Sequence, residues 1–361
     1  MTGPAEGVIP AAWLAAALDP PRAGGPPSAS GRLRVAPEDF RVEERLGFEP
    51  DGGAAHLLLR VEKTDANTLY VARSLARFGD ARPADVGFAG LKDRRAIATQ
   101  WFSVPARPGG PDWLACAQDG FRVLAVHPHS RKLRRGALSG NRFAIVVREV
   151  AGDTAALKGS LARLAAHGSP NYFGPQRFGR EAANLAGVCR WLEQGSLPRD
   201  RDQRGFLLST ARSLAFNAVL GARVARHDWN RLLPGEVVNL AGSGSVFLAE
   251  AVDEELGRRC LELDVHPTGP LPGRGGLRPV DAAAEAEGRA LEPFKALVDA
   301  LAAAEVDATR RPLRVVPGHL EWSLEGDELR IAFELPRGTF ATAVLREILA
   351  FDAGGLPGDE D

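Results

Sequence analysis

A single carboxylate stands among three cations in the segment VGFAGLKDRRAIATQWFSV, residues 86–104. Asp93 follows Lys92 and precedes Arg94 and Arg95. Cationic neighbours favour the ionised form of a carboxylate, and the glycines just before it remove bulk from its approach. Such a carboxylate is suited to act as a nucleophile or base on a bulky ligand, while the cations attract phosphates. A surface turn with a solvated charge run is the alternative that the local pattern allows.

The residues around Asp93 predict a short strand and then a loop. Residues 86–89 favour a strand, and Gly90 permits either a positive φ or a close backbone approach. Residues 91–95 then form an exposed loop, where functional groups are often placed. A phosphate-binding P-loop is disfavoured, because the glycine spacing is wrong and no Ser or Thr follows Lys92.

A second basic segment, HSRKLRRG, precedes a predicted strand. We interpret it as a contact with phosphates rather than as a solvated surface; its four cations are Arg131, Lys132, Arg134 and Arg135. Asn141 follows in GNRFAI and is either a turn residue or an amide suited to a ligand that offers both donors and acceptors. The aromatic-rich NYFGPQRFG, residues 171–179, is either a packed domain junction or an RNA contact.

Composition limits the classes of protein that remain. The chain has 361 residues, 45% of them hydrophobic and 25% charged, with a net charge of −1, which is typical of a globular protein of two domains. Its three cysteines lie far apart, without metal-ligand spacing, and the histidines show none either. We therefore expect no metal, no cofactor, no membrane segment and a cytoplasmic location.

Hydrophobic periodicity places the elements. Asp65 is predicted to cap a helix that ends at Phe78, Gly326-Asp327 to form a hairpin turn, and Thr339 to cap the last helix. A further helix is expected near residues 292–304. Period-two alternation predicts strands in RLRVAPEDFRVEE, AHLLLRVEKT, TQWFSV, FRVLAVH, RFAIVVREV and HLEWSLEGDELRIAFELP. Helical spacing marks TAALKGSLARLAAHG, EAANLAGVCRWLEQG and LLSTARSLAFNAVLGARVARHDW.

The order sheet, helical block, sheet predicts an α/β (α+β) protein with an inserted, mostly helical second domain. Residues 1–30, rich in Pro, Gly and Ala, are expected to be a flexible arm. The sheet domain is expected to combine residues 31–165 with 315–361. The insertion is expected to cover residues 166–314.

Seven segments carry a resemblance to one family. GFAGLKDRRAIATQW resembles the signature of the TruD family of tRNA pseudouridine synthases. Six further segments resemble family segments in the family's order and span about residues 33–349: PEDFRVEERLGFEPDG, KTDANTLYVARSLA, RKLRRGALSGNRFAIVVREV, PNYFGPQRFGREAANL, ARSLAFNAVL and LPRGTFATAVLREIL.

The resemblance implies a reaction that periodicity could not supply. It implies a pseudouridine-synthase-like, mainly antiparallel sheet domain with an inserted TRUD domain, which isomerises uridine 13 of tRNA to pseudouridine. The catalytic aspartate of the family falls on Asp93. The uracil leaves C1′ through N1 and rejoins it through C5, without metal or cofactor. tRNA is the expected partner of a monomeric enzyme.

The same resemblance implies substrate contacts. Phe40, Asn141, Phe143 and Phe340 fall on the family's nucleotide-binding positions, although a Phe on a strand is otherwise more often a core residue. Arg34 and Lys92 are both candidates for the basic partner of the aspartate. Two alternatives stay open: a non-catalytic RNA-binding or chaperone module, and an aspartyl-phosphate enzyme. The second usually needs another carboxylate close by, which the loop lacks.

Overall fold

A computed structural model describes residues 9–352. Residues 1–8 of the expected arm and 353–361 of the expected sheet domain lie outside the described residues. The strands of the described part are β1 (Ala29–Leu33), β2 (Phe40–Leu46), β3 (His56–Thr64), β4 (Gly87–Phe88), β5 (Ile97–Pro105), β6 (Ala117–Gln118), β7 (Phe121–His129), β8 (Leu138–Gly152), β9 (Ser169–Pro170), β10 (Glu236–Leu240), β11 (Val246–Ala249), β12 (Val265–Leu271), β13 (Thr309–Pro312), β14 (Arg314–Val315), β15 (Gly318–Glu325), β16 (Glu328–Pro336) and β17 (Ala350–Asp352).

The helices follow the segments with helical spacing. None of those within residues 9–352 is both long and apolar enough to span a bilayer. They are α1 (Ala11–Leu18), α2 (Thr68–Phe78), α3 (Thr154–His167), α4 (Ala183–Gln194), α5 (Arg201–Ala225), α6 (Glu254–Leu261), α7 (Asp281–Leu291), α8 (Lys295–Ala303) and α9 (Ala341–Leu345).

A large sheet forms the centre of the molecule, in the order β15-β16-β8-β2-β5-β3-β7-β6. β1 joins it on β8, β17 pairs with β1, and β4 pairs with β5. Only the β2–β5 and β1–β17 pairs of this sheet are parallel among the described strands. The predicted α/β class with a mainly antiparallel sheet is therefore confirmed. Its central strands β2, β8 and β5 carry most of the candidate site.

The segment between β9 and β14 contains helices α4–α8 and a second, four-stranded sheet in the order β11-β10-β12-β13. The sequence patterns predicted the longer helices there but not this sheet. β12, VHPTGPL, contains two prolines, and proline is normally depleted in strands. Its neighbours β10 and β13 nevertheless pair with it. The short β9–β14 pair lies where the chain enters and leaves this segment.

The N-terminal segment is not a loose arm over residues 9–30, contrary to expectation. Trp13 of α1 is 4% exposed and stacks on Phe294, with ring centres 6.2 Å apart. The side-chain amide of Asn217 donates to the carbonyl of Ala16 at 3.1 Å. The apolar stretch AAWLAAAL has no partner near it in sequence, and it is ordered because the distant insertion supplies one.

Two predicted helix caps are wrong. The side chain of Asn67, not Asp65, accepts the Leu69 N–H at 2.7 Å and starts α2. Thr339 does not cap α9, because its hydroxyl donates to the carbonyl of Pro336. α9 therefore begins without a side-chain cap, and it ends at Leu345, a turn earlier than the apolar pattern suggests.

Candidate active site

The loop that carries Asp93 is held by buried polar side chains. Three groups that are at most 1% exposed, Lys63, Thr68 and Gln100, bond to its backbone. The Gln100 amide donates to the carbonyl of Gly90 at 2.5 Å, and the Lys92 N–H donates to the Thr68 hydroxyl at 3.0 Å. The Lys63 ammonium donates to the carbonyl of Asp93 at 2.6 Å. We call residues 90–95 the Asp93 loop, and buried side chains of β3, α2 and β5 hold its backbone in place.

The Asp93 carboxylate itself faces solvent, with its side chain 55% exposed. It accepts a hydrogen bond from the guanidinium of Arg34, whose side chain is only 8% exposed. Arg34 adopts a positive φ of 57° just after β1, which turns its side chain toward the loop. Its guanidinium carbon lies 4.2 Å from the ring centre of Phe40. Of the two candidate basic partners, Arg34 contacts Asp93.

Lys92 has a different partner. Its ammonium donates to the carboxylate of Glu44, and the two side chains are 7% and 0% exposed. The other oxygen of Glu44 accepts the Trp101 N–H at 3.2 Å. This buried ion pair joins the Asp93 loop to β2 and β5, so Lys92 anchors the loop.

The two aromatic candidates on the central strands are core residues in this conformation. Phe40 is 1% exposed and lies beneath the Arg34 guanidinium. Phe143 is 8% exposed, and its ring centre lies 6.2 Å from that of Phe40 and 5.5 Å from that of Phe333. Their roles as substrate contacts stay predictions. The packing shows that both also support the sheet face under the site.

Asn141 lies on β8 between Glu44 of β2 and Leu335 of β16. Its side-chain oxygen is shielded from water and has no hydrogen-bond partner within residues 9–352. Buried polar atoms are normally paired, so this amide has unused bonding capacity. Asn141 lines a cleft of about 640 Å³ between the central sheet and the insertion, together with Arg311 and Thr339.

Phe340 is the residue before α9, and its ring packs against the NYFGPQRFG segment. Its ring lies 6.1 Å from that of Phe173 in the NYFGPQRFG segment. Phe173 is 7% exposed and is covered by the Arg311 guanidinium at 4.2 Å. Tyr172 is buried, and its hydroxyl donates to the carbonyl of Pro21 at 2.9 Å. In this segment the aromatic residues pack a domain junction, the first of the two alternatives.

The second basic segment, residues 130–136, is an exposed loop that we call the basic loop. All four of its cations are exposed, whereas Leu133 turns inward and is buried at 4%. The Gly136 N–H donates to the carbonyl of Ala89 at 2.7 Å, just before the Asp93 loop. The Arg337 guanidinium donates to the carbonyl of Gly136 at 2.8 Å. The fold therefore brings the basic loop beside the Asp93 loop.

The glycines before Asp93 have different uses from those expected. A Cβ on Gly87 would come within 2.3 Å of the Leu133 carbonyl oxygen, so this glycine permits the basic loop to approach. Gly90 has neither a positive φ nor any atom within 4 Å of a Cβ built on it. The close approach is therefore at Gly87 rather than at Gly90, where the space is open.

Sequence reasoning missed Lys63 and Glu44 as parts of the site. Both have a signal in the sequence, because each continues an apolar alternation with a charge: Leu59, Val61, Lys63 on β3 and Phe40, Val42, Glu44 on β2. A charge at an inward position needs a buried partner. No group of three or more His, Cys, Asp or Glu within residues 9–352 is arranged to hold a metal ion.

Comparisons with known proteins agree over most of the chain. The family model described as tRNA pseudouridine synthase D (TruD) matches residues 25–199 and 196–348. A protein of Methylococcus capsulatus named tRNA pseudouridine synthase D is 43% identical over 341 residues, which is 94% of this chain and 96% of the relative. A protein of the same name from Xanthomonas axonopodis pv. citri is 45% identical over 345 residues, 91% and 94% of the two chains.

A solved structure shares the fold. The crystal structure described as a putative tRNA pseudouridine synthase D from Methanosarcina mazei superposes with a TM-score of 0.66, at 21% identity. The match covers 95% of this chain and 96% of that one. At this identity the likeness concerns the arrangement of the elements.

Proposed function

Because the chain belongs to the TruD family of tRNA pseudouridine synthases, we propose that it isomerises uridine 13 of tRNA with Asp93 as the catalytic carboxylate. The membership itself gives the reaction class: the protein is an isomerase that converts uridine to pseudouridine in tRNA. The position in the tRNA and the residues that do the work are the proposal.

The reaction defines what the site must provide. The bond from C1′ to N1 of uracil breaks, the base turns while it is held, and a bond from C1′ to C5 forms. The hydrogen at C5 is released, and N1 takes up a proton, so the product is an isomer of the substrate. A carboxylate on the path of the base can act as nucleophile or as base.

The observation that carries the proposal is that Asp93 is both accessible to solvent and held in place by other residues. Its carboxylate is 55% exposed, yet its backbone is bonded to the buried Lys63 and its side chain to Arg34. Catalysis requires a reactive group that is accessible and held in place. Arg34 would orient the carboxylate through this hydrogen bond.

A uridine inside folded RNA must leave its stack to reach Asp93. The unpaired oxygen of Asn141 is suited to a donor on the uracil edge, such as an N–H. We assign Phe40, Phe143 and Phe340 to contacts with the nucleotide, and Phe40 would also support Arg34 through the contact of its ring with the guanidinium. The cations of the basic loop would bind the phosphates of tRNA next to the target.

The proposal also divides the chain into two parts with different tasks. The sheet domain, expected to combine residues 31–165 with 315–361, would carry the chemistry. The insertion, residues 166–314, would grip the RNA from the other side of the cleft. RNA recognition of this kind relies on shape and on bases turned out of the stack.

The test compares Asp93→Asn with the wild-type chain on tRNA labelled with tritium at uracil C5. Formation of the new C–C bond must release that label. We expect the variant to fold and bind tRNA but to release no label, whereas Asp119→Asn, an exposed control on the same domain, should behave as wild type. Release from Asp93→Asn near the wild-type rate would refute the assignment.

The position is tested separately. tRNA in which uridine 13 is replaced by cytidine should give no product, while sequencing of the wild-type product should place pseudouridine at position 13. Product at another position would leave the isomerase class intact and refute the choice of uridine 13.

A further inference from the structure

Leu91 is an exposed apolar side chain within the Asp93 loop. It is 55% exposed, two residues before Asp93. Exposed leucines are common on protein surfaces and usually need no explanation. This one differs in its position, because the loop presents it beside the reactive carboxylate.

The backbone on both sides of Leu91 is fixed. The carbonyl of Gly90 accepts from Gln100, and the N–H of Lys92 donates to Thr68. Two residues before Leu91, Ala89 is buried at 2% and packs with Leu58 and Leu133. The backbone around Leu91 is therefore held in a conformation that leaves this side chain exposed.

A second exposed apolar side chain belongs to the residue after Arg34. Val35 is 47% exposed and directly follows Arg34, which contacts Asp93. Exposed cations belong to the same part of the fold: Arg94, three residues after Leu91, is 65% exposed in its side chain, and the basic loop is bonded through Gly136 to the carbonyl of Ala89. Exposed apolar side chains on a basic surface are suited to a nucleic acid, because its phosphates can bind the cations while its bases contact the apolar side chains.

We propose that Leu91 is a wedge that enters the base stack of the tRNA beside the extruded uridine. When the uridine leaves the stack, its neighbours no longer have a base to stack on. An apolar side chain that fills the gap replaces part of that interaction, as wedge residues do in duplexes that are kinked by proteins. The inference rests on the proposed function, since it takes Asp93 as the point that the uridine reaches.

The test uses Leu91→Ala and measures single-turnover isomerisation at saturating enzyme. Two substrates are compared: folded tRNA, and a short unstructured RNA with the same nucleotides around the target. We expect the rate on tRNA to fall between about fivefold and a hundredfold, the range that corresponds to the removal of stacking on one base. The rate on the unstructured RNA should change little, because its bases are already unstacked.

Two further variants serve as controls. Leu91→Met keeps an apolar side chain and should restore most of the rate. Leu261→Ala removes a leucine that is 78% exposed at the end of α6 and should have no effect. The melting temperature of Leu91→Ala should match wild type, because the side chain supports no core.

A second readout reports the wedge directly. tRNA with 2-aminopurine beside the target is bound to Asp93→Asn, which holds the complex before chemistry. Fluorescence should change on binding, and the change should shrink in Asp93→Asn/Leu91→Ala. Equal rate losses on both substrates, or unaltered tRNA rate and fluorescence, would overturn the wedge. Absence of isomerisation by the wild-type chain would instead refute the proposed function.

Discussion

The buried ion pair between Glu44 and Lys92 gives a prediction that joins stability to the site. Glu44→Gln keeps the size of the side chain and its bond from the Trp101 N–H but removes the charge. The Lys92 ammonium, 7% exposed, then stays buried without its counterion. We expect a decrease in the free energy of unfolding together with a slower reaction.

The magnitude follows from the burial of both groups. Removing one partner of a buried pair costs about 3–5 kcal/mol, because the remaining charge stays desolvated. An exposed pair contributes about 0–1 kcal/mol. Glu255→Gln therefore serves as the matched control, because Glu255 and Arg258 form an ion pair with side chains 61% and 54% exposed. The two variants delete the same charge in opposite environments.

The isomerisation should slow in Glu44→Gln because the loss of the ion pair allows Asp93 to shift. Lys92 precedes Asp93, and a displacement of about 1 Å in a reactive group can cost roughly a hundredfold in rate. Affinity for tRNA should change little, because the exposed cations remain. Denaturant unfolding, tritium release and tRNA binding measure the three quantities. In Glu44→Gln/Lys92→Met the unfolding free energy should recover most of the loss, because no buried charge is left and the Trp101 N–H keeps its acceptor.

Either of two results would contradict this reasoning. If Glu44→Gln loses no more stability than Glu255→Gln, the pair is not desolvated and does not hold the loop. If the stability falls but the rate stays at the wild-type value, Lys92 stabilises the sheet without positioning Asp93.

Three further predictions concern other parts of the molecule. Replacing the four cations of the basic loop by Ala should flatten the dependence of log tRNA affinity on log salt by about 0.7–0.9 for each phosphate that is no longer neutralised; an unchanged slope would mean a solvated surface. Phe143→Leu, which keeps most of the core volume, should lower turnover more than tRNA affinity, and equal decreases would point to a docking defect. Burial and the nearby Arg314 charge lower the pKa of His266 from 6.5 to about 4. The unfolded chain therefore binds more protons between these values, and stability falls by about 1.4 kcal/mol per pH unit as pH drops through that window. His266→Asn should reduce this slope in acid unfolding, and an unchanged slope would assign it to other groups.

Local patterns were sufficient for the elements whose signals are contained within a few residues. The strands of the central sheet follow from alternation, because one face of each strand is apolar. The hairpin turn at Gly326-Asp327 was predicted from a Gly-Asp pair between two alternating runs. In the structure β15 and β16 pair on either side of it, and Gly326 has a φ of +59°. The family resemblance, carried by motifs in order, gave the reaction class that the comparisons support.

Tertiary structure decided what depends on partners far apart in the chain. The sequence left Arg34 and Lys92 as equal candidates, because both are basic and the chain does not show which of them lies against Asp93 in the fold. Only folding shows that Arg34 meets Asp93 across 59 residues and that Lys92 meets Glu44 across 48. Spacing along a chain does not encode which charges will share a buried space.

The order of the N-terminal segment and the anchoring of the Asp93 loop also depend on residues that are far away in the chain. Composition suggests a loose arm there, but α1 is ordered because the insertion offers an apolar surface to Trp13. The local sequence predicted a lone acid on an exposed loop, and the family resemblance made it the candidate for the catalytic residue. The fold supplies the groups that hold it there, Lys63 below and Arg34 beside it, because a loop this short cannot satisfy its own buried backbone.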